Sequence, residues 1–455
     1  MTGPTETAPA PAYGRSSRRE RTGWYIYDWA NSAFSTTVVT AFLGPYLTNI
    51  AKTGDNAPGT DTIGDITLLG LEFRADSLWA FTTALSVILQ VLVLPIAGAV
   101  ADRTPRKKQL LGAFAYTGAA ATCALVFLTG DRWELGAILF IIANVSFGAS
   151  VVVYNSFLPQ ISTEQERDAV SSRGWAFGYL GGGTLLLLNV AAVLIGGDDL
   201  LAETARYSIV SAGLWWAGFT TITMARLHNR PPPAGEAQGP ALTDGFKQFW
   251  RTLKGLRAYP KTLAFLIAFL IYNDGIQTVI AMAGTYGQEE LGFDNTILMP
   301  TILVVQFVAF GGALALGALA RRHGAFKTVL GSLGAWVVVL VAAFFLPYDN
   351  APLFVAVGAG IGFILGGSQA LSRSLFSQLI PKGREGEYFG LYEISDKGTS
   401  WLGPIVFAVT NEITGSNRMA IISLVIFFIV GFVLLIRVPM ADAIRAAGNT
   451  PPEKL

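Results

Sequence analysis

One cysteine and two histidines are all the thiol and imidazole chemistry in this chain of 455 residues. Cys123 lies in an apolar run, so an intrachain disulfide and a thiolate metal cluster are both excluded. His228 and His323 fall in hydrophilic connections far from it, which argues against a zinc site. Charge is equally scarce. Only 14% of residues are Asp, Glu, Lys or Arg, against about 25% in an ordinary soluble domain. That is too little polar surface to cover a soluble globule, so lipid must face much of the outside. A Gly-rich phosphate loop ending in Gly-Lys-Ser/Thr is missing, which speaks against a nucleotide-driven pump within this chain. No nucleophile–base set suggests an enzyme. The net charge of +1 gives no basis for nucleic-acid binding. No cofactor and no metal are expected.

What the chain has instead is long apolar runs. A membrane helix needs roughly 20 mostly apolar residues. About twelve such spans are expected, at 25–50, 77–100, 109–129, 135–157, 171–196, 205–226, 261–283, 296–320, 326–346, 352–376, 389–412 and 418–438. Residues 1–22 are rich in Pro, Ala and Thr, then basic, and read as a disordered tail without a cleavable signal peptide. Residues 23–226 form a first six-helix half and 261–438 a second. The segment 227–260 is a linker whose part 244–257 carries Phe246, Phe249, Trp250, Leu253 and Leu256 at the spacing of an interfacial helix. Residues 439–455 form a C-terminal tail. The expected class is an all-α membrane protein of two pseudo-symmetric halves.

Lys and Arg sort by side. With the N-terminus inside, the outer loops hold only Lys52, Arg74, Arg132, Arg206 and Arg418, beside Asp55, Asp61, Asp65, Glu72, Asp76, Asp198 and Asp199. The positive-inside rule then puts both termini in the cytoplasm, with the plasma membrane as the expected location.

The halves share a turn. Gly98-Ala-Val-Ala-Asp102-Arg103-Thr-Pro-Arg106-Lys107-Lys108 returns as Gly317-Ala-Leu-Ala-Arg321-Arg322-His-Gly-Ala-Phe-Lys327. Gly98 and Gly317 are 219 positions apart, as are Phe157 and Phe376 near the ends of the two fourth helices. Two parallel six-helix repeats place a substrate site near the midplane between them.

Ionisable groups inside the membrane are costly and usually face an internal cavity. Span seven holds Asn273, Asp274, Gln277 and Thr278. Asp274 is near the midplane, with Gln277 and Thr278 one turn on and expected on its face. It suits a proton or a substrate ammonium; the alternative is a structural carboxylate tied to a neighbouring helix. Span eleven aligns Glu393, Asp396, Lys397 and Ser400 on one face, with Glu393 and Lys397 able to pair, which suggests a gating network. Span one offers Asp28, Asn31, Ser32 and Ser35 as a polar stripe among aromatic residues. Span four offers Asn144, Gly148 and Asn155, with Tyr154 alongside. Span ten offers Ser368, Gln369, Ser372 and Arg373, where Arg373 faces a carboxylate or serves as an interfacial anchor. The run Gly174, Gly178, Gly181 to Gly183 reads as helix packing. In the repeated turn, Asp102 is placed to meet a helix N-terminus or the basic residues after it. Arg103, Arg106, Lys107 and Lys108 are placed to hold the ends of the halves together, and Lys107 and Lys108 are also explained by topology alone.

The segment Gly98–Lys108 resembles the Major Facilitator Superfamily loop motif, Gly-x-x-x-Asp-Arg-x-Gly-Arg-Arg/Lys, with Pro105 where that family usually has Gly. In the second copy Arg321 replaces the Asp. A narrower likeness spans most of the chain. Tyr27–Phe34, Tyr154–Pro159, Tyr272–Thr278, Gly366–Arg373 and Phe389–Lys397 resemble the vacuole-effluxer (autophagy-related amino-acid exporter) family and its bacterial relatives. The resemblance implies a secondary transporter of a small polar solute, an amino acid first. The expected partners are the lipid bilayer, a small-molecule substrate and protons, with a monomeric assembly. An exporter of lipids or drug-like molecules and a non-transporting receptor are the rival readings. The first predicts a mostly apolar cavity; the second would need a soluble output domain.

Overall fold

The computed structural model describes residues 16–54, 65–68, 71–130, 132–197, 201–230, 254–397 and 401–455. Among them, nine helices are long and apolar enough to cross a membrane.

The first expected span runs as α1 (Arg18–Ala33), a π-helical stretch (Phe34–Phe42) and α2 (Leu43–Gly54). Ser17 opens it, its hydroxyl accepting the Glu20 N–H at 3.1 Å, with Glu20 three residues on as in a capping box. Residues 16–22 are therefore folded, not tail. Arg21 grips Glu166 with both terminal nitrogens, at 3.1 and 2.8 Å, and its Nε donates to the Ile161 carbonyl. The long connection after α2 contains an antiparallel hairpin, β1 (Asp65–Leu68) and β2 (Leu71–Arg74), which a search for apolar runs does not reveal.

Then follow α3 (Leu78–Arg103), α4 (Lys107–Ala124), α5 (Trp133–Asn155), the short α6 (Leu158–Ile161), α7 (Arg167–Gly196) and α8 (Leu201–Arg226). Most of the proposed linker, 231–253, lies outside the described residues, and with it most of the expected interfacial helix. What is described ends in a single 3-10 turn, Leu256–Ala258. Pro260 then opens α9 (Pro260–Thr285), where a missing N–H costs nothing. α10 (Asn295–His323) and α11 (Ala325–Phe344) meet at Gly324, whose φ of +93° belongs to glycine. α12 (Ala351–Gln378), α13 (Glu385–Lys397), α14 (Leu402–Thr414), α15 (Asn417–Ser423) and α16 (Val425–Ile436) complete the second half. The C-terminal segment is ordered as well. It forms α17 (Met440–Ala446), and Asn449 donates to the Gln378 and Ile380 carbonyls at the end of α12, both at 2.8 Å.

Two hydrophobic cores divide the chain. One gathers Trp24, Phe34, Phe140, Phe157 and Trp216; the other Phe265, Phe269, Trp336, Phe376 and Phe428. Outward, α3 exposes Phe81, Leu85, Ile88 and Leu92 at helical spacing, and α16 exposes Ile426, Ile429, Val433 and Ile436. Such apolar stripes suit a surface that faces lipid. Across the halves, α3 packs on α13, and α7 on α10 and α12. The repeated glycines sit at these crossings. A Cβ on Gly98 would lie 2.1 Å from the Gly386 carbonyl oxygen, and one on Gly317 would lie 2.5 Å from Ser172 Oγ.

Candidate functional site between the two halves

The end of the bundle where α1 begins and α16 ends is termed the terminal face. There the fifth helix of each half meets the other half. The Asp102 carboxylate, at the end of α3, reaches the first turn of α13. Its two oxygens accept the Gly386 and Glu387 N–H groups at 2.7 and 2.9 Å. This satisfies two of the donors that a helix N-terminus leaves unpaired. Lys107 Nζ stands 3.6 Å from the same carboxylate, and both side chains are buried. Lys107 also lies 5.8 Å over the Phe157 ring. Lys107 thus takes part in the clamp. Arg106 is exposed and opens α4, and Arg103 is half-buried at the end of α3.

Deeper lies Arg373 of α12, only 2% exposed. Its Nε donates to Ser171 Oγ at 2.9 Å and one terminal nitrogen to the Ser171 carbonyl at 2.9 Å. The other terminal nitrogen reaches Asn155 Oδ1 at 3.1 Å and Asp28 Oδ2 at 3.4 Å. The rings of Trp24, Trp175 and Tyr154 surround the guanidinium at 5.0, 5.4 and 5.7 Å. Planar stacking and a fork of donors are what Arg supplies and Lys does not. Tyr154 donates to Asp28 Oδ2 at 2.7 Å, and its ring stacks on Trp24 at 4.4 Å. Asn155 passes the network on, its Nδ2 donating to Glu393 Oε1 at 2.8 Å. Arg373, a candidate substrate contact from sequence, is thus committed to the opposite half in this conformation. Glu393 turns to Asn155 across the interface; the side chain of its expected partner, Lys397, lies outside the described residues.

The glycine run permits this approach. A Cβ on Gly174 would stand 2.7 to 3.0 Å from Trp24, Asp28 and Arg373, and Gly178, Gly181 and Gly182 meet α1 side chains and backbone in the same way. Further contacts escaped the reading of the sequence. Ser374 Oγ donates to Asp168 Oδ1 at 2.5 Å, Ser171 Oγ to the Ala370 carbonyl at 2.7 Å, and Arg167 to the Ser377 carbonyl at 3.4 Å. The available signal was a repeated pair, Arg167-Asp168 and Arg384-Glu385, opening the fifth helix of each half.

A second polar group lies further from the terminal face. Asn273 Nδ2 donates to Asp396 Oδ1 at 2.8 Å, Gln277 Nε2 to the same oxygen at 3.4 Å, and Gln369 Nε2 to Asn273 Oδ1 at 2.9 Å. Asp274 points elsewhere. Its Oδ2 accepts the Gly403 N–H in the first turn of α14 at 2.7 Å, and Thr278 Oγ1 donates to its carbonyl. Gln277 therefore shares a face with Asn273, not with Asp274, correcting the expected grouping. Asp274 is 1% exposed, and its Oδ1 has no hydrogen-bond partner among the described residues. Asn144 is spoken for within the first half: its Nδ2 donates to Ser86 Oγ at 2.8 Å, and its carbonyl accepts from Gln90 at 3.2 Å. Asn31 is buried beside α1's aromatic residues, with its Nδ2 unpartnered among the described residues.

The Asp102 and Arg373 contacts join the two related halves, while the cluster around Asp396 is bonded within the second half. Residues 16–448 match the family described as vacuole effluxer Atg22 like. The chain belongs to that family. It is 30% identical to the MFS-type transporter YxiO of Bacillus subtilis, over 92% of this chain and 95% of that one. It is 26% identical to Autophagy-related protein 22 of Kluyveromyces lactis, over 91% and 92% of the two chains. Among solved structures, the human organic anion transporter MFSD10 superposes with a TM-score of 0.62 at 15% identity, covering 92% of this chain and 99% of that one. The proton:xylose symporter XylE superposes with a TM-score of 0.65 at 12% identity, covering 92% and 93%. These similarities give the major facilitator fold. The chain is a multi-pass membrane transporter of the MFS type.

Proposed function

We propose that this member of the Atg22-like family is a secondary transporter of a small polar solute, an amino acid first, working by alternating access of residues 23–226 against 261–438. One observation carries the reading: the Arg373 node and the Asp102 cap join the two halves at the terminal face, while carboxylate and amide side chains of the second half gather deeper. Breaking and remaking such contacts is how one access state is exchanged for the other. The Lys and Arg distribution supports a cytoplasmic terminal face in the plasma membrane. The cluster of Asn273, Asp396 and Gln369 favours polar cargo over lipids or drug-like molecules, because buried polar groups need polar partners. Asp274, enclosed and with one oxygen unpartnered among the described residues, is the proposed proton site. The working unit is a monomer.

The test is uptake of a labelled amino-acid mixture into proteoliposomes, with and without a pH gradient, by wild type and Asp274→Asn. Gradient-driven uptake that the variant loses supports proton-coupled amino-acid transport. Uptake indifferent to gradient and variant moves the proton site elsewhere, and no uptake of any amino acid by folded protein overturns the substrate class.

A further inference from the structure

We infer that Asn229, just beyond the last helix of the first half, is a positioning residue for the Asp102–Lys107 clamp, and that the Glu20–Arg230 ion pair holds it in place; this rests on the alternating-access reading above. α4 starts without a local cap. Its N-cap position is Arg106, whose side chain carries no acceptor, and no side-chain cap bond forms there. The acceptor comes instead from 121 positions away: Asn229 Oδ1 takes the Lys108 N–H at 2.8 Å. Asn229 Nδ2 donates to Gln109 Oε1 at 2.7 Å, so one amide grips two residues of the first turn. Lys107 precedes them, and its Nζ stands 3.6 Å from the Asp102 carboxylate. The orientation of that first turn sets where the Lys107 side chain starts from.

Asn229 is itself fastened. Arg230 forks onto the buried Glu20 of α1, its terminal nitrogens donating to Oε1 and Oε2 at 2.8 Å each, and the His228 N–H reaches the same Oε1 at 3.3 Å. Bidentate pairing fixes geometry as well as charge. Upstream, Thr223 Oγ1 donates to the Gly23 carbonyl at 2.9 Å, and a Cβ on Gly23 would stand 2.5 Å from Arg226 Cβ, so the end of α8 lies directly on α1. Leu227 is only 1% exposed. The chain leaving α8 is thus tied to α1 and to α4 at once, at the end of the bundle where Asp102 caps α13. The second half returns in a similar way, since the backbone of Leu455 lies against Gly324, the residue that opens α11. There Arg321 stands where the first copy of the turn has Asp102, so the acid that Lys107 meets in the first half is replaced by a base.

The experiment uses the full chain in proteoliposomes, with Ser374→Cys in a background without Cys123 and a membrane-permeant maleimide as the probe, in the absence of cargo. Asn229→Ala is expected to speed labelling roughly twofold to thirtyfold, the range of a lost helix cap expressed as an equilibrium shift, and Lys107→Gln to speed it as well. The double variant decides between a positioning and a structural role. If Asn229 acts through Lys107, the two changes together label no faster than the faster single one, because effects within one network are not additive. Asn229→Asp keeps an acceptor for the Lys108 N–H and places an anion at a helix N-terminus, so it should restore the slow rate. A merely structural Asn229 would lower the thermal midpoint while its effect on labelling multiplied with that of Lys107→Gln, and that overturns the inference. So does an Asn229→Ala rate equal to wild type, or an Asp variant as fast as the Ala one. Should Asn229→Ala fail to fold, Arg230→Lys puts the same question, since it keeps the charge and loses the fork: non-additivity with Lys107→Gln is expected, and multiplied effects overturn the inference. Multiplied effects leave alternating access standing, whereas labelling that Lys107→Gln does not change removes the clamp and the inference together. Failure of the amino-acid substrate class leaves these rates untouched, because no cargo is present.

Discussion

Arg373 and Asp28 face each other across the two halves at 3.4 Å, with side chains only 3% and 14% exposed. Breaking a buried pair by removing one partner typically costs about 3–5 kcal/mol, because the remaining charge is stranded. Arg373→Ala is expected to lower the thermal midpoint in detergent and abolish uptake. Arg373→Lys keeps the charge but loses the fork to Asn155, Asp28 and Ser171 and the stacking on Trp24. It should recover part of the stability and none of the transport. Full rescue of uptake by Lys would show that only the charge matters.

Asp102 caps α13 from the opposite half. Replacing a capping side chain costs about 0.5–2 kcal/mol, and here the loss falls on one conformation only. Asp102→Ala should therefore loosen the terminal face without unfolding the halves. The readout is maleimide labelling of Ser374→Cys in a background without Cys123, since Ser374 is buried against Asp168. Faster labelling in the Asp102 variant is expected; an unchanged rate would mean that the cap does not hold this face shut.

The two repeated glycines should differ in sensitivity. An added methyl at Gly98 meets backbone, 2.1 Å from the Gly386 carbonyl oxygen, while one at Gly317 is less tightly placed, 2.5 Å from Ser172 Oγ. Overpacking costs about 1–3 kcal/mol where nothing can yield. Gly98→Ala is expected to impair uptake more than Gly317→Ala, and equal effects would contradict the helix crossing described.

Glu166 supplies a pH dependence outside the membrane-spanning segments. The hydrogen bond from Arg21 holds its carboxyl below the ordinary 4.5. A carboxyl depressed in the folded state adds stability that is present above its unfolded value and lost as pH falls through the folded one. The pair is partly solvated, so the effect is small. Thermal midpoints measured from about pH 6 down to about pH 3 should fall more steeply below the ordinary 4.5 for wild type than for Glu166→Gln. Parallel curves would remove the ion pair from the stability of this end.

Much of the architecture was legible because lipid imposes a simple rule: a spanning segment must satisfy its own backbone and be apolar for about 20 residues. Where that rule is relaxed, legibility fails. The first span is broken by a π-helical stretch and carries Asp28, and the eleventh is divided between α13 and α14, so neither is among the nine helices that meet the length and apolarity criteria. The hairpin at 65–74 carries no long apolar run to announce it. Of the candidate residues, Asp28, Tyr154, Asn155, Arg373 and Glu393 are brought together, and Asn273, Gln277, Gln369 and Asp396 form a second group. Asn144 bonds within its own half, and Asp274 caps α14.

By itself the sequence determined that this chain is a two-fold repeated, multi-pass membrane protein and which polar residues stand inside it, because hydrophobic length, charge scarcity and the 219-position repeat are properties of the linear chain. Only the tertiary structure decided which of those residues meet. Helical periodicity says that Asp274 and Gln277 lie within one turn of each other, yet a small rotation sends one to the Gly403 N–H and the other to Asp396. Likewise, nothing local tells Arg373 that its anion is Asp28, 345 positions away. Partnership across an interface depends on how two halves dock, and docking is settled by packing surfaces such as Gly98 on Gly386, not by the pattern along either strand of sequence.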